Sequence, residues 1–93
     1  MDRQSRPRRR DAVLSNSAGD TVYLLHSETG EYFALDEIGG RIWELADGTR
    51  TITEIASDLV REYDAPIETI EADARRIVAE LAGEQLIDDA RAA

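Results

Sequence analysis

The fold is decided by one continuous stretch, YFALDEIGGRIWELADGTRTITEI, which occupies residues 32–55. Its pattern predicts a strand, a capped helix, a tight turn of roughly four residues and the start of a second capped helix. Asp36 is the expected N-cap of the first helix, because it places a short hydrogen-bond acceptor directly after the strand. Gly48 is expected in the C′ position of that helix, and Thr53 is the expected N-cap of the next one.

The first helix combines two glycines with the single tryptophan of the chain. Gly39 and Gly40 fall in its first turn, where each costs roughly 1 kcal/mol relative to alanine. We therefore expect the helix backbone to approach the sheet closely at these positions. Trp43 lies on the apolar face and is interpreted as a core anchor rather than as a residue that stacks on a ligand.

The residues before this stretch predict an antiparallel meander. Residues 12–14 form a short apolar segment, and residues 15–20 are dense in turn-forming residues. Residues 21–26 are rich in β-branched and aromatic residues. Residues 31–35 are the expected returning strand, after a loop that ends in glycine. Three strands are therefore expected before the first helix.

Two further helices are expected after the first one. The second carries an apolar stripe that ends near Tyr63, and Pro66 separates it from the third, which is expected over residues 67–82. One face of the third helix carries six apolar residues: Ile67, Ile70, Ala74, Ile77, Val78 and Leu81. Gly83 is expected to close this helix, and residues 86–87 are expected to tuck under the core. The predicted fold class is α+β and winged-helix-like, with a three-stranded antiparallel sheet followed by three helices.

Length and composition limit the possible functions. The chain has 93 residues and no cysteine, which excludes a disulfide framework and a thiolate metal site. It has no apolar run of the ~20 residues that a membrane span needs and no recognisable signal peptide, so we expect a cytoplasmic protein. His26 is the one histidine and is interpreted as a sheet-surface residue, because no catalytic partners accompany it. We predict no catalytic site, no metal and no cofactor.

Charge is distributed unevenly along the chain. Residues 1–10 carry five arginines and one acid, residues 11–93 carry six arginines and nineteen acids, and the net charge is −9. We predict a disordered basic tail over residues 1–10, a folded domain over residues 11–88 and a second tail over residues 89–93. The alternative for the basic tail is an arm that grips an acidic partner or nucleic acid. The acidic body is expected to repel phosphate backbones.

The predicted sheet has an edge to which a peptide could add. Tyr23, Tyr32 and Phe33 lie on strands that three short helices need not cover, and an edge strand presents unpaired N–H and C=O groups. An extended peptide can pair with such groups as an additional strand. The alternative is an edge that is protected by the tails or by dimerisation.

The stretch over residues 32–55 resembles the PqqD-like proteins, which recognise precursor peptides of ribosomally made, modified natural products. Two further motifs carry the resemblance: LVREYD at residues 59–64, and a leucine pattern at the end of the third helix, Leu81-x-x-x-x-Leu86-Ile87. The chain looks most like the discrete recognition protein of lasso-peptide clusters.

The resemblance implies a winged-helix-like fold and a function in binding rather than in catalysis. The leader segment of a precursor would act as a fourth strand, antiparallel to the third predicted strand and in a groove against the third helix. Three partners are implied: the precursor, a transglutaminase-like cysteine leader peptidase, and an ATP-dependent cyclase that resembles asparagine synthetase. No nucleic acid and no membrane partner is expected.

The resemblance also implies a binding site, which we carry over to this sequence. Four strand residues would pair with the leader: Tyr32, Phe33, Ala34 and Leu35. On a helical wheel, one flank of the third helix carries Asp73, Arg76 and Glu80, with Ile77 at its boundary. We expect this flank to face the leader. The opposite flank, with Glu71 and Arg75, is the alternative.

Two other functions stay open. The winged-helix theme also suits a DNA-binding regulator, although the acidic body and the few basic residues of the second and third helices oppose it. The chain could also carry the precursor of another pathway, as a PqqD-type peptide chaperone does for a radical enzyme. The genes beside its own would separate these pathways.

Overall fold

The computed structural model describes residues 1–92, without the side chain of Ala92. Its elements, in chain order, are β1 (Pro7–Arg9), β2 (Val13–Ala18), β3 (Thr21–His26), β4 (Tyr32–Leu35), α1 (Glu37–Leu45), α2 (Ile52–Glu62), α3 (Ile67–Gly83), β5 (Ile87–Asp89) and a 3₁₀-helix (Ala90–Ala92). The strands β2, β3 and β4 form one antiparallel sheet in that order, and the three α-helices follow it. The predicted α+β fold class is confirmed.

The first strand of this sheet is longer than expected. Residues 15–18, where the composition predicts a turn, continue β2 and pair with β3 as far as Ala18 and Thr21. The turn is confined to Gly19 and Asp20, and Gly19 has the positive φ of +59° that a tight hairpin requires. Pairing with β3 therefore overrides the local turn preference of serine and asparagine.

The prediction of a disordered tail over residues 1–10 is wrong. β1 pairs antiparallel with β5, so the two ends of the chain form a second, two-stranded sheet. The N–H of Arg9 donates to the carbonyl of Ala46 (3.0 Å), and the N–H of Gly48 donates to that of Pro7 (2.8 Å). The partners of this segment lie far away in the sequence, so local composition does not reveal them.

The predicted tail over residues 89–93 also differs from the structure. Asp89 is the last residue of β5, and the 3₁₀-helix follows it directly. The N–H of Ala90 donates to the carbonyl of Arg6 (2.8 Å), which ties the end of the chain to its beginning. Ala93 lies outside the described residues.

The core lies between the inner face of the sheet and the three helices. Fully buried side chains come from each of these elements: Leu24 of β3, Ile42 of α1, Ile55 and Leu59 of α2, and Val78 of α3. Trp43 is buried among them, which confirms it as a core anchor.

Gly40 is the point at which α1 touches the sheet. A Cβ atom built on Gly40 would lie 2.6 Å from Cγ2 of Val22 in β3, which is well inside van der Waals contact. A Cβ atom on Gly39 would lie 3.3 Å from Oδ1 of Asp36 and 3.5 Å from Cβ of Leu35. The predicted close approach is confirmed, and Gly40 is the tighter of the two positions.

The beginning of α1 agrees with the sequence prediction, and its end differs. The carboxylate of Asp36 accepts from the N–H of Gly39 (2.8 Å), as an N-cap should. The C-cap is Ala46, so Gly48 lies one position beyond C′. Gly48 has a φ of +85°, which allows the chain to turn toward α2.

The second helix begins earlier than expected. Its N-cap is Thr51 rather than Thr53, because Thr51 forms a capping box with Glu54. The link between α1 and α2 covers residues 46–51, which is longer than the predicted four-residue turn. The box satisfies two backbone donors at once, and it therefore fixes the start of α2.

The third helix ends at Gly83, and the two residues expected beneath the core, Leu86 and Ile87, are buried there. Its buried face is shifted slightly from the predicted one. Val78 is fully buried at its centre, whereas Ile77 is only partly buried and Ile67 is exposed.

Candidate functional site

β4 lies at one edge of the three-stranded sheet, next to β3. The N–H of His26 donates to the carbonyl of Glu31 (2.9 Å), which makes these residues a hydrogen-bonded pair. In an antiparallel ladder, such pairs alternate with non-bonded ones. Tyr32 and Ala34 fall at the non-bonded positions, and their backbone groups therefore point away from β3 toward the open edge.

A groove of about 550 Å³ runs between this edge and the C-terminal end of α3. β4 contributes three lining residues: Phe33, Ala34 and Leu35. Five residues line the opposite side and the floor: Glu80, Leu81, Gly83, Glu84 and Leu86. The two leucines are buried and make the floor apolar, whereas the two glutamates are exposed.

The alternation within β4 decides which side chains face the groove. Phe33 and Leu35 are half-buried against the core, whereas Tyr32 and Ala34 are exposed on the other face of the sheet. On the helix side, Gly83 presents backbone alone, and a Cβ atom there would meet no atom within 4 Å. An extended peptide beside β4 could therefore direct every second side chain into the groove.

The structure brings together part of the predicted site. Phe33, Ala34, Leu35 and Glu80 line the groove. Tyr32 belongs to the same edge, but its side chain is 77% exposed on the outer face of the sheet. Its backbone faces the open edge, while its side chain does not line the groove.

The other three predicted residues lie further toward the N-terminal end of α3. Arg76 forms ion pairs with Asp73 (3.9 Å) and with Glu80 (3.2 Å). Ile77 is partly buried and packs against the core. Since residues three, four and seven positions apart share a helix face, this flank continues into the groove at Glu80.

The sequence prediction missed the end of the groove. Glu84 follows Glu80 by four positions, one helical turn, and this spacing could have identified it. Gly83 and Leu86 line the groove through the tertiary fold, which no local pattern shows. On the opposite flank of α3, Glu71 forms an ion pair with Arg3 of the N-terminal segment (3.8 Å).

The outer face of the sheet is uncharged. Eight side chains point to this face: Leu14, Asn16, Ala18, Thr21, Tyr23, Leu25, Tyr32 and Ala34. None of them is charged, although 33% of the residues of the chain are. Leu14 is 59% exposed and Tyr23 is 48% exposed. Exposed apolar side chains that are grouped on one uncharged face are typical of an interaction site.

His26 is not a sheet-surface residue, and the prediction is wrong on this point. Its side chain is 1% exposed. Nδ1 accepts from the N–H of Glu28 (3.2 Å), and Nε2 lies 3.1 Å from the carbonyl oxygen of Gln85. This pattern assigns the proton to Nε2 of a neutral ring. Both ring nitrogens are engaged within the chain.

The two arginines of β1 are also engaged within the chain. Arg8 pairs with Asp88 of β5 (3.1 Å). The guanidinium of Arg9 donates to the carbonyl oxygens of Trp43 (2.9 Å) and Glu44 (2.7 Å) at the end of α1. These contacts oppose the alternative of a free basic arm.

The carboxyl groups whose pKa is lowered include Asp47 and Glu62, which lie in the scaffold and do not line the groove. Hydrogen bonds from Thr49 lower the pKa of Asp47, and hydrogen bonds from Arg41 lower the pKa of Glu62. Within residues 1–92, no group of three or more His, Cys, Asp or Glu residues is placed to hold a metal ion. No helix in this part of the chain is long and apolar enough to cross a membrane.

The sequence matches a known family over most of its length. The family model described as coenzyme PQQ synthesis protein D (PqqD) matches residues 21–87. A PqqA binding protein of Xanthomonas oryzae pv. oryzae is 40% identical over 87 residues, which cover 84% of this chain and 92% of the relative.

Solved structures share the fold. TbiB1 in complex with the TbiA(β) leader peptide superposes with a TM-score of 0.80 and is 38% identical, with 87% of this chain and 94% of that chain covered. The PqqD truncation of Methylobacterium extorquens PqqCD, a stand-alone RiPP recognition element, has a TM-score of 0.73 and 31% identity. That match covers 88% of this chain and 87% of the other.

Proposed function

The chain belongs to the PqqD family of peptide recognition elements, and we propose that it binds the leader segment of a ribosomally made precursor peptide. The leader would add to the sheet as a further strand, antiparallel to β4 and in the groove against α3. In this proposal, the chain is a non-catalytic adaptor of lasso-peptide biosynthesis in the cytoplasm. It presents the precursor to a transglutaminase-like leader peptidase and to an asparagine-synthetase-like cyclase.

The observation that carries the proposal is the open edge of β4 beside an apolar groove. Tyr32 and Ala34 direct their N–H and C=O groups to this edge, where an extended peptide can pair with them. Leader side chains opposite Phe33 and Leu35 would enter the groove, and the side chains between them would join the outer face of the sheet. Backbone pairing thus supplies affinity, and the groove supplies selectivity.

The flank of α3 extends the proposed site beyond the groove. Asp73, Arg76 and Ile77 would contact the part of the leader that continues past β4. Arg76 lies between the two acids with which it pairs, so this flank offers fixed charges to polar leader residues. We add Glu84, which lines the groove beside Gly83, as an acceptor for a donor group of the leader.

The outer face of the sheet supports the part of the proposal that concerns partners. Tyr23 and Tyr32 are exposed on this uncharged surface, and a bound leader would extend it by one strand. A processing enzyme that docks on the outer face would therefore touch the sheet and the leader together. Exposed tyrosines are frequent contact residues in such interfaces.

A second candidate is the delivery of a PqqA-like precursor to a radical enzyme. The 40% identity to a PqqA binding protein favours it. The 38% identity to TbiB1, which was solved with a bound leader peptide, supports leader binding. The resemblance to the discrete recognition proteins of lasso clusters favours the first candidate. The neighbouring genes decide between them: a transglutaminase-like peptidase and an asparagine-synthetase-like cyclase indicate the lasso pathway, and a radical enzyme indicates the other.

Ala34→Pro tests strand addition directly. Proline removes the N–H that Ala34 presents to the open edge, and we expect the affinity for the leader to fall by about tenfold or more. The probe is a fluorescein-labelled synthetic leader of the precursor encoded beside the gene of this chain, and the measurement is fluorescence anisotropy. Phe33→Pro would be a poorer test, because the backbone of Phe33 faces β3.

Ser17→Pro is the matched control. Ser17 holds the equivalent outward position on β2, the other edge of the sheet, so its substitution should leave leader affinity unchanged. In wild-type protein, the leader should also shift the amide resonances of residues 31–35 and 67–84. Equal affinities of the two proline variants, or shifts confined to residues 1–10, would exclude strand addition at β4.

A further inference from the structure

His26 joins the two sides of the groove, and we propose that it positions the groove for the leader. This inference rests on the proposed leader binding. His26 is the last residue of β3, directly before the loop that leads into β4. Its buried ring contacts Glu28 in that loop and Gln85 in the turn that follows α3.

The contact with Gln85 reaches the side of the groove opposite β4. Nε2 of His26 donates to the carbonyl oxygen of Gln85 over 3.1 Å. Gln85 lies between Glu84 and Leu86, and both of these residues line the groove. One ring therefore links the base of the β3–β4 hairpin to the far wall.

The turn that His26 holds has a conformation that a free chain disfavours. Gln85 has a φ of +60°, and no other non-glycine residue within residues 1–92 has a positive φ. The left-handed region is unfavourable for a residue with a Cβ atom. The turn is closed by the N–H of Leu86, which donates to the carbonyl of Leu81 (2.9 Å), and the bond from His26 adds a contact from the sheet.

A bond that already orders this turn in the free protein would reduce the conformational entropy that is lost when the leader binds. Without the bond, the turn would lose its contact with the sheet, and the wall formed by Glu84 and Leu86 would be held less firmly beside β4. The leader would then have to restore the wall on binding. His26 is buried and does not itself face the groove, so it acts as a positioning residue rather than as a leader contact.

Two substitutions separate the two hydrogen bonds of the ring. Asparagine places its amide near the position of Nδ1, so it keeps an acceptor for Glu28 and loses the donor to Gln85. Glutamine extends to the position of Nε2 and keeps that donor. We expect His26→Asn to weaken leader affinity by about fivefold, and His26→Gln to stay within about twofold of wild type.

The assay is fluorescence anisotropy with the labelled synthetic leader, combined with melting temperatures of the same samples. Equal losses of affinity in both variants, or losses that follow the melting temperature instead of the bond to Gln85, would overturn the role of His26. So would full affinity in both variants while wild type binds. Failure of wild type to bind the leader would instead count against the proposed function.

Ring spectroscopy keeps the inference testable even where a variant folds poorly. In wild-type protein with ¹⁵N-labelled histidine, we expect the proton on Nε2 both with and without the leader. The Nε2 resonance should move when the leader binds, because the carbonyl of Gln85 lies beside the groove. An Nε2 resonance that stays in place at saturating leader would contradict the inference.

Discussion

At the scale of single residues, Gly40 is the position at which packing leaves no room for a side chain. Gly40→Ala would place a Cβ atom 2.6 Å from Cγ2 of Val22, so α1 or β3 must move. We expect the free energy of unfolding to fall by about 1–3 kcal/mol, as in other overpacked cores. Urea denaturation measures this change.

Gly83→Ala is the control for that substitution, because a Cβ atom at this helical position meets no atom within 4 Å. It should leave the free energy of unfolding unchanged or raise it by up to about 1 kcal/mol, since alanine is the better helix former. If Gly40→Ala were as stable as Gly83→Ala, α1 would not be held against the sheet as closely as the geometry indicates.

Residues with a local role could be predicted from the sequence, because the residues that indicate this role lie within one helical turn of them. Asp36 is such a residue, since an acceptor between a strand and a helix signals an N-cap. At Thr51, the spacing between the cap and its glutamate partner decides where the helix begins. Thr51 and Thr53 both precede the apolar stripe of α2, but only Thr51 has a glutamate three positions later, Glu54, which is the signal of a capping box.

At the scale of elements, an ion pair joins α1 to α2. Nε of Arg41 lies 2.8 Å from Oε1 of Glu62, and Nη2 lies 2.8 Å from Oε2, which is a bidentate geometry. Glu62→Gln should lower the free energy of unfolding by about 1 kcal/mol or less at neutral pH, because both side chains are partly exposed to solvent.

The effect of Glu62→Gln should disappear in acid. Hydrogen bonds from Arg41 lower the pKa of Glu62 in the folded protein below its ordinary value of 4.5. Since this pKa is lower in the folded than in the unfolded state, the stabilisation is complete above pH 4.5 and is lost as pH falls through the folded-state pKa. Thermal melts of both proteins across this range provide the measurement.

Glu31→Gln is the control, because it removes one negative charge from the loop before β4, away from the pair between the helices. It should change the free energy of unfolding by less than about 0.5 kcal/mol at neutral pH, as surface substitutions away from specific contacts do. A difference between wild type and Glu62→Gln that stayed constant from neutral to acid pH would contradict the assigned ion pair.

The elements that could be predicted are those with a pattern of their own. The period of the apolar residues is sufficient for α1, α2 and α3, and the composition is sufficient for β3 and β4. β1 is Pro-Arg-Arg and β5 is Ile-Asp-Asp, and neither has the composition of a strand. They are strands only because they pair with each other. That pairing depends on how the sheet and helices between them in the sequence are packed.

The two walls of the proposed site also differ in how far the sequence predicts them. The strand wall could be predicted, because residues 32–35 precede a strong helix cap. The helix wall could be predicted only as a flank, because the turn over residues 83–86 and the contact of His26 with Gln85 depend on tertiary packing.

At the scale of the whole molecule, charge that is separated in the sequence is brought together by the fold. The arginines of residues 1–10 meet acids and carbonyl oxygens, and Arg91 at the other end pairs with Asp2 (3.4 Å) and Asp89 (3.3 Å). Nucleic-acid binding depends on basic side chains that are free to neutralise phosphates. The structure therefore opposes the DNA-binding alternative more strongly than the net charge of −9 does alone.

The N-terminal segment should also be part of the stable fold, although it precedes residues 21–87, which match the PqqD family. Its backbone bonds to three separate parts of the chain, at Ala46, Ile52 and Ala90. Deletion of residues 1–9 removes these bonds, and at about 1 kcal/mol each we expect a loss of about 3 kcal/mol or more. Calorimetry should show a melting temperature lower by more than about 10 °C.

Arg8→Ala is the control: it removes one exposed ion pair of the same segment and should lower the melting temperature by less than about 5 °C. A deletion variant that melted like wild type would show that the segment is the independent tail that its composition predicts.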